Sequence, residues 1–187
     1  GWVSDYDKTR DWLSIQLHES IAKIDLPVLA GSLTALANND LNQWQHWNDI
    51  ALANRETKEL RLNDTAMGDA LKRLLKTLEI DVPVAATREY SFVTLFAVAA
   101  NHWQMEFDLA AQGFVWSWLE NQVAAATKLV PLGQSQAQLL LGELQAEIPR
   151  AITESTTLDE HTLGGSLTAL AIASSWHETQ YSRLFRS

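Results

Sequence analysis

Leu13-Ser14-Ile15-Gln16-Leu17-His18-Glu19-Ser20-Ile21-Ala22-Lys23-Ile24 decides the fold class. Leu13, Leu17, Ile21 and Ile24 recur at i, i+4, i+8 and i+11, which puts them on one stripe of a helix. Ser4 or Asp5 stands where a capping side chain is wanted. Asp25-Leu26-Pro27 is expected to break the helix, because proline disfavours helix in the residue before it and is accommodated in a first turn.

The same period continues along the chain. A short helix from about Pro27 to Ala37 is followed by a turn and cap at Asn38-Asn39-Asp40, and then by a stretch to about Ala53 carrying Trp44 and Trp47. A long helix is expected from about Asn54 to Leu78, with Leu60, Met67, Leu71, Leu74 and Leu78 on one face. Asp81-Val82-Pro83 closes it. Helices from about Thr87 to Asn101 and from about Glu106 to Val130 lead to a corner at Pro131-Leu132-Gly133. Another helix ends near Ala146, and Ile152 to Leu163, rich in Thr, Glu and Asp, reads as an exposed loop. A last helix, about Gly165 to Trp176, hands over to a C-terminal tail. No β alternation, repeat or long linker interrupts the pattern. The expected fold is a single all-α domain spanning 1–187, a bundle or array of roughly 8–10 helices.

The balance of 23 Asp and Glu against 14 Lys and Arg, net −9, argues against nucleic acid as a partner, since phosphate contacts need clustered positive charge. The absence of cysteine excludes disulfides and thiolate metal sites. No run reaches the roughly 20 apolar residues of a membrane helix, so no membrane partner is expected. The chain opens at Gly1-Trp2-Val3 rather than at methionine.

Catalytic constellations are wanting. His177-Glu178-x-x-Tyr181 comes close to the His-Glu-x-x-His zinc motif, but its second histidine is a tyrosine, a poor ligand at neutral pH. His18, His46, His102 and His161 show no i, i+4 pairing. Gly164-Gly165-Ser166 lacks the Gly-Lys-Ser/Thr of a phosphate loop and reads as a helix-start turn. No Gly-x-Ser-x-Gly elbow occurs. The sequence therefore points to no enzyme, no metal ligand set and no cofactor.

Contact surfaces are better supported. The ending His177-Glu178-Thr179-Gln180-Tyr181-Ser182-Arg183-Leu184-Phe185-Arg186-Ser187 carries two Arg and one Glu, side-chain charge +1, on a body that totals −10 without it. Tyr181, Leu184 and Phe185 either pack back on the domain or dock on a partner, because apolar area in water costs roughly 25 cal/mol per Å², and Arg with aromatic residues makes a common interface anchor. Ser117, Asn121, Ala124 and Lys128 form a small and polar stripe flanked by Glu120, either a solvated face or a partner ridge. Arg55-Glu56-Thr57-Lys58-Glu59-Leu60-Arg61 opens the long helix, with Arg55 and Glu59 spaced to pair. Most of the eight tryptophans are expected in the core, but several exceed what one small bundle needs to bury, which points to oligomer or partner surfaces.

The terminal eleven residues, together with Asp25-Leu26-Pro27, Arg55 to Arg61, Trp116-Ser117-Trp118-Leu119-Glu120, Lys128 to Gln134 and Ile172-Ala173-Ser174, resemble the urease accessory protein family UreF in order and spacing. Family members begin earlier, with a Pro-Val-Gly turn and a Ser-x-Gly-Leu-Glu stretch, so a missing N-terminal segment is expected. The resemblance implies an all-helical, non-enzymatic, cytoplasmic scaffold that forms a homodimer. It implies binding to UreD (UreH in some systems), recruitment of the GTPase UreG, and delivery of nickel to the urease apoprotein. The tail from His177 to Ser187 would bind UreD, and Arg55, Glu56, Glu120 and Lys128 would face the GTPase or the dimer partner. The alternative is a direct regulator of the GTPase, with Arg183 or Arg186 as an arginine finger.

Overall fold

The structure is a computed structural model that describes residues 3–83 and 88–181. All regular elements among the described residues are helical, as the periodicity requires: α1 (Tyr6–Gln16), a π-helical segment (Leu17–Asp25), α2 (Leu26–Ala37), α3 (Leu41–Ala53), α4 (Lys58–Thr77), α5 (Phe92–His102), α6 (Phe107–Leu129), α7 (Gln134–Gln145), α8 (Ile148–Ser155) and α9 (Thr168–Glu178). They group into two compact units, residues 1–27 with 106–165, and residues 28–105 with 166–187.

In the first unit the quoted stripe is the core. Leu13, Leu17, Ile21 and Ile24 are buried, and so are Phe114, Leu119 and Val123 of α6, Leu140 and Leu144 of α7, and Ile148 and Ile152 of α8. Asp5, rather than Ser4, caps α1 by accepting from Lys8 N at 3.0 Å. The loop expected from Ile152 starts later, because α8 runs to Ser155 and buries both Ile152 and Ser155.

The break expected at Asp25-Leu26-Pro27 does not occur. Helix continues from Tyr6 to Ala37 through the π-helical segment, and Leu26 N donates to Ile21 O, five residues back. Proline inside a helix leaves a carbonyl unserved one turn earlier. Here the Lys23 carbonyl accepts from Gly164 N at 3.1 Å. Gly164 holds φ +146, a glycine conformation, and a Cβ on Gly165 would sit 2.0 Å from Glu19 O. The Gly-Gly pair, expected as a helix-start turn, is the patch that closes around the proline. This continuous helix, 32 residues long with a window of mean hydropathy 1.3, is long and apolar enough to cross a membrane, unlike the expectation from composition. That window is 61% buried inside the protein, so its apolar residues serve as core.

His18 of the π-helical segment ties down α8. Its Nδ1 meets Glu154 Oε2 at 2.6 Å and its Nε2 meets Glu147 Oε2 at 2.9 Å, while Ser14 Oγ also donates to Glu147 and Arg150 Nε to Glu154. Burial pushes the Glu154 carboxyl up, but the hydrogen bonds from His18 and Arg150 outweigh it and hold the carboxyl below its usual range.

In the second unit α5 is apolar on every side, with Val93, Leu95, Ala97, Val98 and Ala100 buried. Trp44 of α3 is fully buried, stacks on Tyr90 at 5.3 Å and donates to Thr94 O at 3.2 Å. Asn48 Oδ1 accepts from Ser91 N and from Thr94 Oγ1, both at 2.9 Å. The apolar face of α4 is not the one packed inward. Asp64, Thr65, Gly68 and Leu75 are buried, while Met67, Leu74 and Leu78 are 39%, 53% and 51% exposed. Asp64 sets this orientation, its Oδ1 accepting from Phe92 N and its Oδ2 from Arg55 Nε, both at 2.9 Å. Gly68 permits it, because a Cβ there would lie 2.3 Å from Tyr90 O.

Gly165→Ala is expected to destabilise the protein by about 1–3 kcal/mol through overpacking on Glu19. Gly142→Ala on α7, where a Cβ meets nothing within 4 Å, is expected to stabilise by about 0.5–1 kcal/mol. Urea unfolding of the two variants checks both signs. For Glu154 the depressed carboxyl contributes stability that is present above the ordinary carboxylate value, 4.5, and is lost as pH falls through the lowered one. His18→Gln is therefore expected to move the Glu154 carboxyl midpoint upward, read by carbon-detected NMR titration; an unchanged midpoint would refute the assignment.

Candidate partner-binding surfaces

The first turn of α4 gathers residues that the sequence offers separately. Thr57 caps the helix by accepting from Leu60 N at 3.2 Å, and its hydroxyl also meets Ser174 Oγ of α9 at 2.7 Å. Glu178 Oε1 accepts from Glu59 N at 3.1 Å. A carboxylate suits this end of a helix, where unpaired amides and the positive end of the dipole converge. His177 Nδ1 lies 2.5 Å from Glu59 Oε1 and donates to it. Ser166 Oγ donates to Glu56 Oε1 at 2.6 Å. The segment after Ala53 and the end of α9 thus form one junction.

This geometry changes two expectations. Arg55 and Glu56 precede α4 rather than opening it, so Arg55 pairs with Asp64 instead of Glu59. Arg55 is thereby engaged within its own unit, whereas Glu56 is exposed. The tail expected to start at His177 has its first two residues inside α9, which runs two residues beyond the expected Trp176.

Opposite its Ser174 side, α9 shows solvent Ile172 (44% exposed) and Trp176 (65%), and Tyr181 beyond it is fully exposed. Thr179 and Gln180 are exposed as well. Ser182, Arg183, Leu184, Phe185, Arg186 and Ser187, named from the sequence, lie outside the described residues.

In the other unit Glu120, Asn121, Ala124 and Lys128 of α6 are exposed, Ser117 is partly so, and Leu129 beside Lys128 is 67% exposed. Among the described residues neither Glu120 nor Lys128 has an ion-pair partner. Trp116 and Trp118 are partly covered. His102 is exposed and meets the Trp103 ring edge-on at 5.7 Å. Among the described residues no group of three His, Asp or Glu could hold a metal ion.

Comparison with known proteins settles which family carries these surfaces. The sequence model of UreF matches residues 3–145. The urease accessory protein UreF of Marinomonas sp. (strain MWYL1) is 58% identical over all of this chain and 81% of that protein. The chain belongs to the UreF family. UreF of Teredinibacter turnerae is 45% identical over the whole chain and 85% of that protein, and UreF of Alkalilimnicola ehrlichii 42% identical over the whole chain and 83% of its own length. These matches cover the whole chain, so they reach past the family model and include α9 with the residues that follow it. In a UreF-family chain the α9 junction was the hardest feature to foresee, since its bonds join residues more than a hundred positions apart. Thr57 followed by a charged first turn was its one local signal.

Proposed function

We propose that this UreF-family chain serves urease maturation as a non-enzymatic, cytoplasmic scaffold. It binds a UreD-type partner (UreH in some systems) through residues 177–187 and recruits the GTPase UreG. Nickel delivered to the urease apoprotein is the cargo of that assembly rather than a cofactor of this chain. The observation that supports this reading best is the end of α9. His177 and Glu178 are bonded to the first turn of α4, while Ile172, Trp176 and Tyr181 stand exposed. Large apolar side chains held out from a fixed base match the anchors of protein interfaces. Glu120 and Lys128, exposed on α6, are assigned to the GTPase side, and Glu56, exposed on the other unit, is a separate candidate contact.

The homodimer is assigned to the outward stripe of α4. Asn63, Met67, Ala70, Leu71, Leu74 and Leu78 share that face and none is charged. In a chain of net charge −9, an uncharged apolar face lets two like-charged copies approach with least repulsion.

Coexpression with a UreD-type partner tests the first assignment. Full-length chain is expected to copurify with it, and chain ending at Gln180 is expected to lose capture while keeping its helical circular dichroism. Undiminished capture by the shortened chain would refute the tail assignment. For the dimer, Leu74→Glu is expected to shift the sedimenting species from dimer toward monomer with helicity retained. A wild-type monomer at ~100 μM, or a dimer untouched by Leu74→Glu, would refute that contact.

A further inference from the structure

α4 carries a second unusual face. Asp69, Lys72, Arg73 and Lys76 follow i, i+3, i+4 and i+7, so they line one side of the helix, away from the Met67–Leu74 stripe. With Ile80, Asp81 and Val82 they enclose a cleft of about 550 Å³, the size of a small-ligand or short-peptide site. Ile80, 5% exposed, forms its floor.

Most other cations among the described residues behave differently. Among the described residues Lys8, Arg10, Lys23, Arg55, Arg61, Arg88 and Arg150 each have a carboxylate within ion-pair distance. Lys72, Arg73 and Lys76 have none, and two other cations, Lys58 and Lys128, stand apart from them in sequence. Three neighbouring positive charges in an acidic protein repel one another, Lys72 and Lys76 as an i, i+4 pair. Lys72 is held in place even so, its Nζ 5.8 Å from the centroid of Tyr90, a ring that is buried and stacked on Trp44.

We propose that this cleft binds a short acidic segment of a protein partner, with carboxylates on Lys72, Arg73 and Lys76 and an aliphatic side chain against Ile80 and Val82. Lining charge selects this ligand class. Three cations against Asp69 and Asp81 leave +1, too little for the concentrated charge of a diphosphate. It suits carboxylates spaced along a peptide, and Arg73 can take one in bidentate fashion. Apolar Ile80 and Val82 have no use in a phosphate site but give a peptide side chain somewhere to go.

The test is a nitrogen-15 NMR titration of the full chain with the capped peptide Glu-Leu-Glu-Leu-Glu, its Gln-Leu-Gln-Leu-Gln analogue, and inorganic pyrophosphate. The acidic peptide is expected to shift amides of residues 69–82 saturably, with binding about tenfold weaker for the Gln peptide and for the Lys72→Gln, Lys76→Gln double variant. Arg73→Gln, on an exposed side chain, is expected to weaken binding without disturbing the remaining spectrum. Absence of saturable shifts with the acidic peptide, equal affinity in the variants, or tighter binding of pyrophosphate would each overturn the proposal.

Discussion

The Asp64 carboxylate settles which way α4 faces, and the exposed faces of its unit follow from that. One oxygen serves Phe92 N at the start of α5 and the other holds Arg55. A charge at a side chain 8% exposed is tolerable only with both bonds in place, and breaking such a pair costs about 3–5 kcal/mol. Turning Met67, Leu74 and Leu78 inward would gain about 1.5–3 kcal/mol for each side chain fully buried. They are already about half covered, so the gain is smaller, and it would strand Asp64. The apolar stripe therefore stays outside, and the face of Lys72, Arg73 and Lys76 follows on the other flank.

The first unit obeys a comparable constraint at Pro27. A helix that runs through proline needs another donor for the carbonyl it abandons. Gly164 N supplies it to Lys23, and Gly165 lets the chain come close enough to do so. The wider π-helical turn before Pro27 also places His18 where both ring nitrogens reach α8 and its cap. Helix continuity and the clamp on α8 thus depend on the same few residues.

These cases show what could be read from the chain unaided. Period 3.6 located the helices within a few residues, because that period is a local property of spacing. It could not tell which face of α4 turns inward, because the deciding bond joins Asp64 to an amide 28 residues on. The small and polar set Asp64, Thr65 and Gly68 in a leucine-rich helix was the available sign. Pro27 was misjudged for a similar reason, since its remedy lies at Gly164. Arg55 was assigned to Glu59 by i, i+4 spacing, a rule that applies only within a helix, and Arg55 stands before one. At the C-terminus composition offered the aromatic and basic tail as a candidate contact element. The anchoring of its first two residues depends on α4, and nothing local announces it.

That anchoring bears on how the end of the chain can bind. Ordering free chain costs roughly 1–2 kcal/mol per residue in backbone entropy alone. With α9 fastened at Ser174, His177 and Glu178, the orientation of Ile172 and Trp176 is settled before any partner arrives. A partner that first engages these two side chains meets a rigid surface and bears little of that cost. Tyr181, three residues past the Glu178 anchor, starts from a base already fixed. In the proposed docking, the bonds between α9 and the first turn of α4 would therefore enter the binding energetics even though their atoms lie behind the exposed face.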